Sequence, residues 1–295
     1  MRSDIAFHAE GVTLRGWLYL PVRGTFPAPT IIMAHGFSAV KEQYLDRYAE
    51  VFAEAGFIVL VYDHRNFGAS DGEPRQEADP WQQIRDYRHA LTFACTLREV
   101  DSRRIGIWGT SYGGSHVLVV GAIDRRAKCV VSQVPGISGS ASAQRRVRPD
   151  LVPMLLERFH ADRMARFTGH PPAMIPVVSE DPLTPCALPG KEPWEFFHGT
   201  KALAPNYRNE VTLRTLEMAR EYEPGIYISK ISPTPLLMIV ALHDLLTPPD
   251  LMLRAYQEAL EPKKLVLLQG GHFTPYIERF DEASAAARDW FRMHL

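Results

Sequence analysis

The chain reads as an α/β protein, with a doubly wound, mostly parallel sheet and a helical insertion late in the fold. Three observations predict this. Short apolar runs alternate with helical patterns through the first half of the chain, the rhythm of βα units joined by right-handed crossovers. The run FIVLVYD is continuously apolar, as strands buried on both faces of a parallel sheet are. A stretch rich in proline and arginine breaks the rhythm from about Gly136 to Ser232, and the rhythm then resumes.

Taken in order, VTLRGWLYLP alternates like a half-exposed strand, and APTIIMAHG is a short apolar strand ending in glycine. In EQYLDRYAEVFAEAG, residues Tyr44, Tyr48, Val51, Phe52 and Ala55 fall on one helical face, with Gly56 as a C-terminal stop. FIVLVYD follows as a strand. The next helix opens with Asp79 as N-cap and Pro80 at the first helical position. Its apolar face runs through Ile84, Tyr87, Leu91, Ala94 and Cys95. Strand RIGIWG, helix SHVLVVGAI and strand AKCVVSQVP come next. Within the break, helical patches are expected at 150–167 and 208–222. TPLLMIVAL, PPDLMLRAYQEAL, KKLVLLQG and a final helix from TPYIERF onward complete the chain. The expected division is a core of residues 1–135 and 233–295, with 136–232 as a cap insertion.

Bulk properties exclude several functions. At 295 residues the chain buries a core without staples. A net charge of −1 supplies no global field for nucleic acid or anionic lipid. Cys95, Cys129 and Cys186 are widely spaced, forming neither a metal-ligand pattern nor a disulfide framework. MRSDIAFHAEG carries charges and no apolar h-region, so no signal peptide is read. No apolar run approaches the ~18 residues of a membrane span. The expectation is a cytoplasmic protein with a small-molecule substrate and without membrane or nucleic-acid partners. A homodimer is left open.

The segment IGIWGTSYGG carries the chemistry. Gly109-Thr110-Ser111-Tyr112-Gly113 matches G-x-S-x-G between a strand and a helix. So sharp a turn needs small neighbours at i−2 and i+2. It presents the serine hydroxyl at a helix N-terminus, where free N–H groups favour developing negative charge. A serine is a weak nucleophile and needs a base oriented by a carboxylate. In this strand order the acid precedes the histidine. LLMIVALHDLLTPP offers Asp244 just beyond a strand, and LVLLQGGHFTP offers His272 after the last one. Asp244 could be a mere helix-start carboxylate with His243 as base. His243, however, precedes the acid position, and no second carboxylate would then stand in place. The expected triad is Ser111, His272 and Asp244. The expected oxyanion donors are the backbone N–H groups of Tyr112 and of Phe37, the latter in AHGFSA.

With HGF, YDHRNFGASDG, GTSYGG, HD and GGHF in hand, the chain resembles the α/β-hydrolase superfamily over nearly its whole length outside the insertion. DHRNFGASDG (Asp63–Gly72) resembles that family's D-x-R-G-x-G-x-S loop, with Asn66 in place of a glycine. The resemblance implies a structural role: Asp63 and Arg65 hold loops, and Gly68 and Ser70 shape the turn. Within the superfamily the chain is similar to esterase- and thioesterase-like hydrolases near the dienelactone-hydrolase and dipeptidyl-peptidase branch. That group includes the hydrolases or acyl transferases that accompany fungal polyketide synthases. The resemblance implies cleavage or transfer of an acyl group from an ester or thioester.

Residues 136–232 are expected to cover the serine. Trp194, Phe196, Phe197, Tyr207, Met154, Met164 and Met174 would either line an apolar acyl pocket or pack the cap onto the core. Residues 145–166 hold six arginines against three acids, a solvated basic face or a receiver for an anion. No substrate contact is assigned. The leading expectation is a cofactor-free serine hydrolase, with acyl transfer to an alcohol as the alternative. A non-catalytic binder on the same fold would be expected to lack a triad member. A dehalogenase or epoxide hydrolase would carry Asp at position 111. No HxH or HExxH pattern suggests a metal.

Overall fold

The computed structural model describes residues 1–22 and 24–295. Strands β1 (Arg2–Ala9), β2 (Val12–Tyr19) and β3 (Ala28–Ala34) lead to helix α1 (Leu45–Glu54), then β4 (Ile58–Tyr62) and α2 (Pro80–Thr96). Next come β5 (Val100–Thr110), α3 (Tyr112–Ile123) and β6 (Ala127–Gln133). A segment outside the main sheet follows, with α4 (Gly139–Arg146), α5 (Val152–Phe167), β7 (Met174–Ile175), α6 (Lys191–Gly199), β8 (Val211–Thr212) and α7 (Leu213–Glu221). The chain returns through β9 (Leu236–Ala241), α8 (Pro249–Glu258), β10 (Lys263–Leu268) and α9 (Phe280–His294).

The main sheet has eight strands in the order β1-β2-β4-β3-β5-β6-β9-β10. β1 and β2 pair antiparallel, as do β2 and β4, and every other pairing is parallel. Every residue of β4 and β9 is buried, which is why their sequences are uniformly apolar. Helices cover both faces. Ile84, Tyr87, Leu91 and Val117–Val120 build the core on one side. Tyr48, Phe52, Trp290 and Phe291 build the other, around Trp108.

Several elements depart from the reading of the sequence. β1 is an edge strand whose buried residues are only Phe7 and Ala9, too weak an alternation to be noticed. α1 buries Tyr48 and Phe52, with Leu45 and Ala49 beside them, and Val51 and Ala55 pack half-buried against the same core. Tyr44 stands outside the helix, with φ 69°. Cys95 is exposed, one position past the buried Ala94. The patch expected at 208–222 is half right: α7 fills 213–221, and Val211–Thr212 form β8 against β7. α4 and α6 were not anticipated. The end of the inserted stretch joins the core, where Tyr222, Ile228 and Ile231 pack with α3.

Candidate active site

The elements converge at the C-terminal ends of the parallel strands. Ser111 is the single residue between β5 and α3, with φ 56° and ψ −120°, a conformation that costs a non-glycine residue energy. Its N–H donates to the Gln133 carbonyl at 2.8 Å. The glycines are sterically required. A Cβ on Gly113 would lie 2.6 Å from the His35 carbonyl oxygen, and one on Gly109 would strike the Gly113 carbonyl. A Cβ on Gly36 would press 3.0 Å from that of Ser111. The loop bearing Gly36 and Phe37 thus lies directly against the serine.

His272 Nε2 is 3.0 Å from Ser111 Oγ, and His272 Nδ1 is 2.6 Å from Asp244 Oδ2. Both His272 and Asp244 are buried. The Asp244 carboxylate is saturated with donors. Oδ1 accepts the N–H groups of Leu246 and Thr247, each at 2.8 Å, and Oδ2 accepts the Thr247 hydroxyl at 2.7 Å. This pattern gives His272 the tautomer with its proton on Nδ1, leaving Nε2 to accept from the serine.

The backbone N–H groups of Phe37 and Tyr112 donate to no acceptor among the described residues, and both residues border the cavity beside Ser111. The loop bearing Phe37 is anchored by Asp63, which accepts from the Lys41 N–H at 2.8 Å and Lys41 Nζ at 2.7 Å. Arg65 pairs with Asp86 at 2.6 Å, and the Ser70 hydroxyl donates to the Asp63 carbonyl at 2.6 Å. Asn66 has φ 71°, which explains why a left-handed residue occupies the place of the motif's glycine. Gly68 leaves room for the Asp63 carboxylate.

Sequence reasoning missed three supports. Thr247 bonds Asp244 through its hydroxyl and its N–H. Glu192 of α6 accepts the Phe273 N–H at 3.0 Å, linking the inserted segment to the histidine loop. Tyr276, Thr110, Gln133 and Tyr48 form a buried hydrogen-bonded chain beneath the serine. Of these, Thr110 stands inside the serine motif and Thr247 three residues past Asp244. A buried row of histidines lies on the other side: the His35 and His64 rings are 4.7 Å apart, and those of His64 and His116 are 5.5 Å apart. Burial lowers the pKa of all three, that of His116 to about 3.

A cavity of about 290 Å³ opens from Ser111 toward the inserted segment. Leu151, Met154, Leu155, Phe159, Leu188 and Leu216 contribute to its largely apolar wall. Of the side chains considered from sequence, Met154 lines this cavity. Phe196 and Phe197 line a smaller pocket beside His272, and Tyr207 stacks on Phe197. Met164 and Met174 are exposed, and Trp194 borders neither space. Among the described residues no group of three or more His, Cys, Asp or Glu is arranged to hold a metal ion. No helix among them is long and apolar enough to cross a membrane.

This sheet order, with a serine on the turn after β5, is the architecture of the α/β hydrolases. The family model for the alpha/beta hydrolase fold matches residues 29–278, and the chain belongs to that family. Among characterised proteins it is similar to a thiohydrolase of Eupenicillium brefeldianum, 34% identical over 92% of this chain and 87% of that protein. It is also similar to the polyketide transferase grgF of Penicillium sp, 33% identical over 100% of this chain and 97% of that protein. The crystal structure of the alpha/beta hydrolase GrgF from Penicillium sp. sh18 superposes with a TM-score of 0.86 at 30% identity, covering 100% of this chain and 99% of that one.

Proposed function

We propose that this α/β hydrolase is a serine enzyme that cleaves a carboxylic ester or thioester through an acyl-enzyme. The observation that carries the reading is the chain of contacts from Asp244 through His272 to Ser111 at the wall of an apolar cavity. Ser111 Oγ attacks the carbonyl carbon as His272 Nε2 takes its proton. The oxyanion draws on the N–H groups of Phe37 and Tyr112, which are otherwise unengaged. Asp244 accepts a hydrogen bond from the Nδ1–H and stabilises the imidazolium. His272 then returns a proton to the departing alcohol or thiol, and water attacks the acyl group with the same histidine as base.

The thiohydrolase relative supports a thioester as the bond broken. Acyl transfer to an alcohol is the second reading, favoured by the polyketide transferase relative and by an apolar cavity that shelters the acyl-enzyme from water. Both share the first half-reaction. The test is intact mass after exposure to a small fluorophosphonate, with peptide mapping. A single adduct on Ser111, absent in Ser111→Ala, is expected. A folded protein that takes no adduct, or a Ser111→Ala variant with near wild-type turnover, overturns the reading. Partition of one acyl-enzyme between water and added alcohols separates the two acceptors.

A further inference from the structure

Three arginines reach the large cavity: Arg146 from α4, Arg158 from α5 and Arg220 from α7. No aspartate or glutamate lines it. The arginines around them are treated differently. Arg145 pairs with Asp250, Arg148 with Asp150, Arg163 with Glu217 and Arg166 with Asp162. Of the cavity-lining three, Arg146 donates to the Leu246 carbonyl at 2.9 Å. Arg158 and Arg220 meet no acceptor among the described residues. Pairing therefore divides along the cavity wall: outside it each of these four guanidiniums has a carboxylate, inside it none has.

Arg158 is exposed and Arg220 half-buried, so both guanidiniums are open to an entering group, and beside an apolar wall each is stabilised by an opposite charge. No carboxylate pairs with either, and Arg146 has only the more distant Asp244. The hydroxyls of Ser138 and Ser142 border the same space and add neutral donors of the kind an oxyanion accepts. We propose that the ligand of this cavity carries an oxyanion, held by Arg158 and Arg220 with Arg146, while its apolar portion fills the wall between them and Ser111. This deepens the acyl-enzyme reading and rests on it for which carbonyl reacts; anion binding itself does not need turnover. Two sources share the chemistry: a carboxylate on the acyl chain, or a phosphate on the arm of the departing thiol.

Matched esters test it. p-Nitrophenyl hydrogen suberate is compared with its methyl ester, and S-octanoyl phosphopantetheine with S-octanoyl pantetheine. In one pair the anionic member is expected to have roughly tenfold or more higher kcat/KM, a preference that fades with salt. That ratio should fall roughly tenfold in Arg158→Gln and in Arg220→Gln. It should hold in Arg145→Gln, whose guanidinium is engaged with Asp250 outside the cavity. The pair that responds names the source. Ratios near one in both pairs, or ratios indifferent to both cavity substitutions, overturn the proposal. The same compounds are titrated by calorimetry into Ser111→Ala protein. Anion-selective binding that depends on Arg158 and Arg220, in a protein whose wild type turns over nothing, upholds the anion site and sinks the acyl-enzyme reading. Turnover of the neutral esters with no anion preference does the reverse.

Discussion

Replacing Asp244 with asparagine probes the tautomer logic of the site through its hydrogen-bond count. In the native protein Oδ1 accepts two backbone N–H groups, and Oδ2 accepts Thr247 and His272. An asparagine has one oxygen to place. Put at the Oδ1 position, it keeps both backbone bonds and turns its NH2 toward His272 Nδ1. The Thr247 hydroxyl then accepts from that NH2 and donates to the Val134 carbonyl, already 3.1 Å away. Everything is satisfied, but Nδ1 must now accept, so the ring proton moves to Nε2 and the imidazole cannot take a proton from Ser111. The opposite placement keeps the productive tautomer and sets an NH2 against two N–H donors. Each unpaired donor costs about 1–3 kcal/mol, so with two of them this arrangement is rarer by roughly 30- to 25,000-fold. Activity of Asp244→Asn should fall by that factor. Turnover of a p-nitrophenyl ester and the rate of fluorophosphonate labelling should drop together, while the thermal melting point moves little. A folded Asp244→Asn protein within tenfold of wild type would refute the reasoning.

Other consequences follow from the same geometry. Gly113→Ala places a methyl 2.6 Å from the His35 carbonyl oxygen and 2.8 Å from that of Ala34. It should cost about 1–3 kcal/mol or more of stability in urea, and a variant as stable as wild type would contradict the tight elbow. Glu192→Ala strands the Phe273 N–H beside His272 and should lower kcat roughly three- to tenfold. Unchanged kcat would show that α6 does not hold the histidine loop. The buried histidines give an acid limb. His116 is pushed from 6.5 to about 3 by burial, so its contribution is intact above about pH 6.5 and is lost as pH falls toward 3. At pH 5 the loss from His116 alone is about 2 kcal/mol. His116→Gln should flatten the urea midpoint between pH 7 and pH 5, and an equal slope in the variant would refute the assignment.

What the sequence determined by itself is local. Strand-end serine, aspartate and histidine in that order, and glycines two residues either side of the serine, are short-range patterns set by a turn's steric demands. Continuous apolar runs such as β4 announce themselves because both faces are buried. Tyr44, read as part of the α1 face, belongs to a left-handed turn before the helix, which periodicity alone does not register. Only the tertiary structure decided which groups meet across long separations. Glu192 reaches the histidine loop because helix packing brings it there. The arginines of the inserted stretch look alike in sequence. Folding divides them, pairing Arg145 with a carboxylate of α8 and leaving Arg158 at an apolar wall, since charge partners are chosen by contact in three dimensions and not by composition.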